Sequence, residues 1–281
     1  MMTAFPTLRQ ILLVYVFALL ATLAASVALH EAVADVSPRL GLLIAEISFF
    51  AVVAGYMRLN AMNPADVWLL NAVSGRTLLL SALVAASASV LVAEIHSALT
   101  ALIYSLGGEL PLYQQRLLLE IQVVRTLGEF AQGLAIVVVV PGFLEELAFR
   151  GFVFAGLCFY RGPHVALLAS SLLFAAFHLD PWHFPAVFLL GFTFGALVWL
   201  THSIYPAILA HMINNLVSLL GINLQTHFGI ELWAEEAPTP AILWVAAAIL
   251  LVIGLLLLKR QPTQVPLPSL VAYGQNPVTA G

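Results

Sequence analysis

Apolar positions fill this chain in runs too long for amphipathic surface helices and too continuous for alternating strands. A bilayer core of about 30 Å takes roughly 20 apolar residues per helix. Stretches of that kind fall at about 10–30, 40–57, 77–105, 130–158, 164–180, 184–201, 204–222 and 239–258. Joints rich in Gly, Pro and Asn separate several of them, among them Asn60-Ala61-Met62-Asn63-Pro64 and Arg161-Gly162-Pro163. The pattern predicts an all-α polytopic transmembrane bundle of eight spans, one membrane domain over 1–260, with a flexible Pro-rich tail over 261–281. Between 107 and 129 it changes. Glu109, Arg116, Glu120, Arg125 and Glu129 recur there among leucines and valines, as in an amphipathic helix at the membrane surface. Arg125 and Glu129, four apart, are expected to pair.

Composition agrees with the pattern. Of 281 residues 62% are hydrophobic and 9% charged, with a mean hydropathy of +1.03, whereas soluble domains carry about 25% charged residues. A net charge of −4 offers no argument for a nucleic-acid partner. The single cysteine, Cys158, excludes an intramolecular disulfide and a cysteine-based metal cluster. Leu8 to Leu29 reads as a retained helix rather than a cleaved signal peptide. Arg9, Arg58, Arg76, Arg161, Lys259 and Arg260 fall on one side if eight helices alternate, against the acidic stretches 30–35 and 231–236. This predicts a multi-pass protein of the plasma (inner) membrane with both termini cytoplasmic, and leaves Arg39 and Arg116 as exceptions.

The candidate chemistry begins in the fourth span, at Pro141-Gly142-Phe143-Leu144-Glu145-Glu146-Leu147-Ala148-Phe149-Arg150-Gly151. A charge at the centre of a membrane helix costs about 2.5–3.5 kcal/mol on insertion scales, so such residues are usually kept for a role. Glu146 and Arg150 are four apart and share a face, as an ion pair would. Glu145 is turned by about 100° from Glu146 and is free to face a cavity. Two later runs add to it: Phe174-Ala175-Ala176-Phe177-His178, and His211-Met212-Ile213-Asn214-Asn215 with His211 and Asn215 on one face. Glu145 and His178 lie about equally far from the Arg161-Gly162-Pro163 turn and so at similar depth. A carboxylate, two imidazoles and an amide meeting inside a membrane suit hydrolysis by activated water. The same set would also suit a divalent metal such as Zn²⁺ with an open position.

These three runs, in this order, resemble the CAAX protease and bacteriocin-processing (CPBP) family of intramembrane proteases, which includes the Rce1-type prenyl-protein endopeptidases. The resemblance covers about 130–220 and includes Gly191, Gly195 and the Ser203-Ile204-Tyr205-Pro206 turn. It implies that Glu145 activates water with His178, that His211 and Asn215 form an oxyanion site, and that Glu146 and Arg150 support the architecture. It leaves open a metal on Glu145, His178 and His211. The expected substrate is a membrane-associated protein or peptide. Two other functions compete. Buried Glu and His also serve ion- or proton-coupled transporters, although no two-fold repeat is evident. A catalytically silent scaffold would be expected to lack one of the four polar positions, and all four are present. The sequence contains no His-Glu-x-x-His, Gly-x-Ser-Gly or Gly-x-Gly-Asp run. Glu46, Glu94 and His96 read as pairing across helices, and Gly191 with Gly195 as a close helix contact.

Overall fold

The C-terminal half of one helix is buried on every side, and other helices are arranged about it. The computed structural model describes residues 5–33, 35–109, 111–230, 240–263 and 265–269. The acidic stretch 231–236 and the tail from 270 onward lie outside them. In chain order the helices are α1 (Leu8–Ala32), α2 (Pro38–Leu59), a single turn α3 (Pro64–Val67), α4 (Gly75–Ser105), α5 (Leu112–Gln122), α6 (Leu127–Arg161), α7 (Pro163–Phe177), α8 (Phe184–Thr201), α9 (Tyr205–Phe228) and α10 (Ala241–Leu258). No strand occurs among the described residues.

Local chemistry sets many of the ends. Thr7 and Gln10 form a reciprocal capping box at the start of α1. Ser37 caps α2, with Pro38 in its first turn, and Ser74 caps α4. Gly162 takes φ +84°, open to glycine, and with Pro163 turns α6 sharply into α7.

Among the described residues, seven helices are long and apolar enough to cross a membrane. The eighth expected span, α7, is only 15 residues, about 22 Å at 1.5 Å per residue. It stops where Asp180-Pro181 takes over: the Asp180 carboxylate accepts from the Trp182 and His183 backbone N–H groups and ends helical pairing. α6, by contrast, is 35 residues long, about 50 Å. Residues 145–159 of α6 are buried without interruption, as expected of a helix apolar on every side. Around it Phe49, Phe149, Phe174 and Phe177 interlock edge-on and stacked.

The 107–129 stretch is not one helix. α5 ends at Gln122, and Thr126 caps the start of α6. Arg125 meets Glu129 through its backbone N–H at 2.9 Å rather than through its guanidinium. Arg39, an exception to the charge pattern, donates from Nε to Ile121 O (2.8 Å) and from Nη2 to Val123 O (2.6 Å). A cation there satisfies the open carbonyls at the α5 C-terminus and complements its dipole.

Candidate active site

Two π-helical turns, Leu134–Val139 and Leu147–Val153, bracket the α6 segment Val140–Glu146. Such widened turns are frequent at functional sites. Pro141 helps explain the first. It has no N–H for the carbonyl of Val137 four residues earlier, and Asn215 Nδ2 on α9 donates to that carbonyl at 3.0 Å. The loosened turn therefore ties the motif on α6 to the motif on α9.

Behind the site lies a closed ionic cluster. Glu146 Oε1 accepts from Arg150 Nη1 and from His211 Nδ1, each at 2.9 Å. Arg150 Nη2 donates to Gly191 O at 2.9 Å. Its guanidinium sits 4.1 Å from the Phe174 ring centroid and 5.5 Å from that of Phe194. Glu146 and Arg150 are both fully inaccessible. Gly191 has no room for a side chain: a Cβ would stand 2.9 Å from Phe174 Cδ1 and 3.2 Å from Arg150 Nη2. This glycine is therefore a close helix contact, as expected, and a carbonyl ligand as well.

In front of the cluster is a cavity of about 440 Å³, and all four expected site residues line it: Glu145, His178, His211 and Asn215. Apolar walls come from Leu19, Leu23, Leu42 and Phe177, while Gln122, Asn214 and Ser218 add polar groups. Glu145 is 5% exposed, and its Oε2 has no hydrogen-bond donor in the protein. His178 caps the end of α7, with Nδ1 donating to Phe174 O at 2.9 Å. His211 Nδ1 is held by Glu146. In the neutral tautomers these contacts select, both imidazoles keep Nε2 as an acceptor. Asn215 spends one amide proton on Val137 and keeps a second.

The structure adds three features here. His211 was expected to act beside Asn215, and its bond to Glu146 was not anticipated. Asn214 is engaged as well, its Oδ1 accepting from Ser89 on α4 at 3.0 Å. Glu46 of α2 is 4% exposed and lines the same cavity as Glu145. The signal for Glu46 was present: a carboxylate set alone among apolar residues in the middle of a span.

A metal fits less well. The Nδ1 contacts of His178 and His211 resemble the outer partners of metal-bound imidazoles. Yet among the described residues no group of three or more His, Cys, Asp or Glu side chains is arranged to hold a metal ion.

Residues 128–217 match the family model described as Type II CAAX prenyl endopeptidase Rce1-like. The match runs from α6 into α9 and leaves α1, α2, α4 and α10 outside it. No curated protein and no solved structure matches the chain.

Proposed function

We propose, from the match of residues 128–217 to the Rce1-like family model, that the chain belongs to this family of membrane proteases and hydrolyses a peptide bond of a membrane-associated protein or peptide, using water activated by Glu145. The family match and the apolar helices support a multi-pass membrane protein of protease type. The observation that carries the finer reading is the Glu145 carboxyl, buried yet with one oxygen lacking any protein donor, on a cavity shared with His178, His211 and Asn215.

A water molecule in that cavity would give one proton to the Glu145 carboxylate as general base. Its other proton would bond to Nε2 of His178, whose tautomer the Phe174 carbonyl selects. With both protons engaged, the water lone pair is directed at the scissile carbonyl. The carbonyl oxygen becomes an oxyanion and accepts a hydrogen bond from the remaining amide N–H of Asn215. His211, held by Glu146 through Nδ1, is the second residue assigned to this position. Collapse of the intermediate returns the proton from Glu145 to the leaving amine. No step runs through a metal, since the donors are not gathered for one.

A second cavity, of about 490 Å³ and lined by His30, Arg116 and Glu120, adjoins the first at Leu42, Ala45 and Ile121. It extends the space beneath α5 and would admit an extended segment of substrate.

The test is made in membranes. Glu145→Gln and His178→Ala should each accumulate uncleaved precursor, while a chelator should leave wild-type turnover unchanged. Normal processing in Glu145→Gln would discard the proposed base, and loss of activity with chelator, restored by added Zn²⁺, would discard the metal-free route.

A further inference from the structure

The bundle has two ends, and contacts between distant residues assign each loop to one of them. At the first end Phe5 stacks on Phe159, Ser203 Oγ donates to Asn71 O at 2.6 Å, and the Ile204 N–H donates to Leu69 O at 3.1 Å. His202 Nδ1 meets Val265 O there at 2.8 Å. At the second end Arg39 donates to the carbonyls of Ile121 and Val123, while Asn223 and His227 of α9 bond to those of Gln122 and Val124.

Both cavities belong to the second end. Besides α6 and α9, their walls come from the later turns of α1, the first half of α2, α5 and residues 177–179. None of the loops gathered at the first end lines either of them. Toward that end the site is closed. Leu147, Ile204 and Ile208 pack there with Trp68 and Met212. A Cβ on Gly142 would stand 2.7 Å from Met212 Cγ, so α6 and α9 meet without a gap. The two ends also differ in charge. Arg9, Arg58, Arg76, Arg161, Lys259 and Arg260 flank the helices at the first. The second has Arg39, Arg116 and Arg125, and Arg39 is already spent on the end of α5. Lys and Arg close to membrane helices are held preferentially on the cytoplasmic side.

We infer that the first end lies in the cytoplasm and that the site opens on the opposite, non-cytoplasmic face, where it takes the membrane-proximal segment of a protein or peptide already carried across the membrane. Export must then precede cleavage. A prenylated tail held at the cytoplasmic surface would meet the closed end of the bundle and would not reach Glu145. The face follows from charge and packing alone, whereas the substrate class also rests on the hydrolase reading above.

Two measurements on the full chain in sealed membrane vesicles test it. The first is independent of turnover. The native Cys158 is buried and serves as the blank for cysteines introduced one at a time. In right-side-out vesicles a charged, membrane-impermeant thiol reagent should label Tyr113→Cys, on the rim of the second cavity, and Leu42→Cys, on the wall common to both. Ala72→Cys, exposed at the first end, should label only after the vesicles are opened. Any other pattern at positions 72 and 113 would overturn the orientation. An inert Leu42→Cys beside a labelled Tyr113→Cys would overturn the opening, and Ala45→Cys on the same wall repeats that probe should Leu42→Cys fail to fold. The second measurement presents a library of lipid-anchored, internally quenched peptides on the outer leaflet. Right-side-out vesicles should cleave it and inside-out vesicles should not. Cleavage confined to inside-out vesicles, or equal in both, would overturn the substrate class. Glu145→Gln is run alongside. If wild type cleaves no faster than this variant on either side, the hydrolase reading and its substrate are discarded, and the face is decided by labelling alone.

Discussion

Glu145 and Glu146 are neighbours in sequence, and the protein treats them in opposite ways. Glu146 faces the closed side of α6, where Arg150, His211 and the Gly191 carbonyl form a chain of charge-assisted bonds under two aromatic faces. Glu145 faces the cavity, where another carboxyl and an unengaged oxygen take the place of a cation. The rotation of about 100° between successive helical residues separates a structural charge from a reactive one. Each carboxylate keeps an Oε2 with no protein partner, but only Glu145 lines the cavity, where water can reach it.

The comparison can be broken most directly by making the same substitution at both positions. Glu146→Gln leaves the Arg150 guanidinium buried without its carboxylate and should cost about 3–5 kcal/mol of stability, seen as a lowered melting temperature in mild detergent. Glu145→Gln should leave that temperature nearly unchanged while reducing cleavage by about 10²–10⁴-fold, the usual scale for a general base. Equal melting temperatures for the two variants would erase the distinction. On the reactive side, Asn215→Ala removes the uncharged donor and should lower kcat by about 10²–10³-fold. Unchanged kcat would transfer the oxyanion role to His211.

Smaller effects sharpen the closed side. Gly191→Ala forces a Cβ against Phe174 and Arg150 and should cost about 1–3 kcal/mol as overpacking, measured by thermal unfolding. The smallest effect expected is that of Arg39→Ala, which strips the C-terminal carbonyls of α5 of their cation at about 1 kcal/mol. It should appear as faster proteolysis between α5 and α6, with the melting temperature little altered. Unchanged proteolysis would show that the α5 end is held by other contacts.

Continuous apolar runs were enough to place the membrane helices, because a segment that must satisfy its own backbone in lipid has few alternatives to a helix. The Glu146–Arg150 pair was also readable, since four residues on one helix are always neighbours. Glu145, His178, His211 and Asn215 could be chosen from motif order and helical spacing, and all four reach one cavity. Contacts between residues distant in the chain were decided only by the tertiary structure. They include His211 turning to Glu146, Asn215 supplying the N–H that Pro141 lacks for Val137, Arg39 closing the end of α5, and Glu46 of α2 lining the same cavity as Glu145 of α6. Periodicity along a helix states which face a residue occupies; it carries no information about which other helix that face will meet.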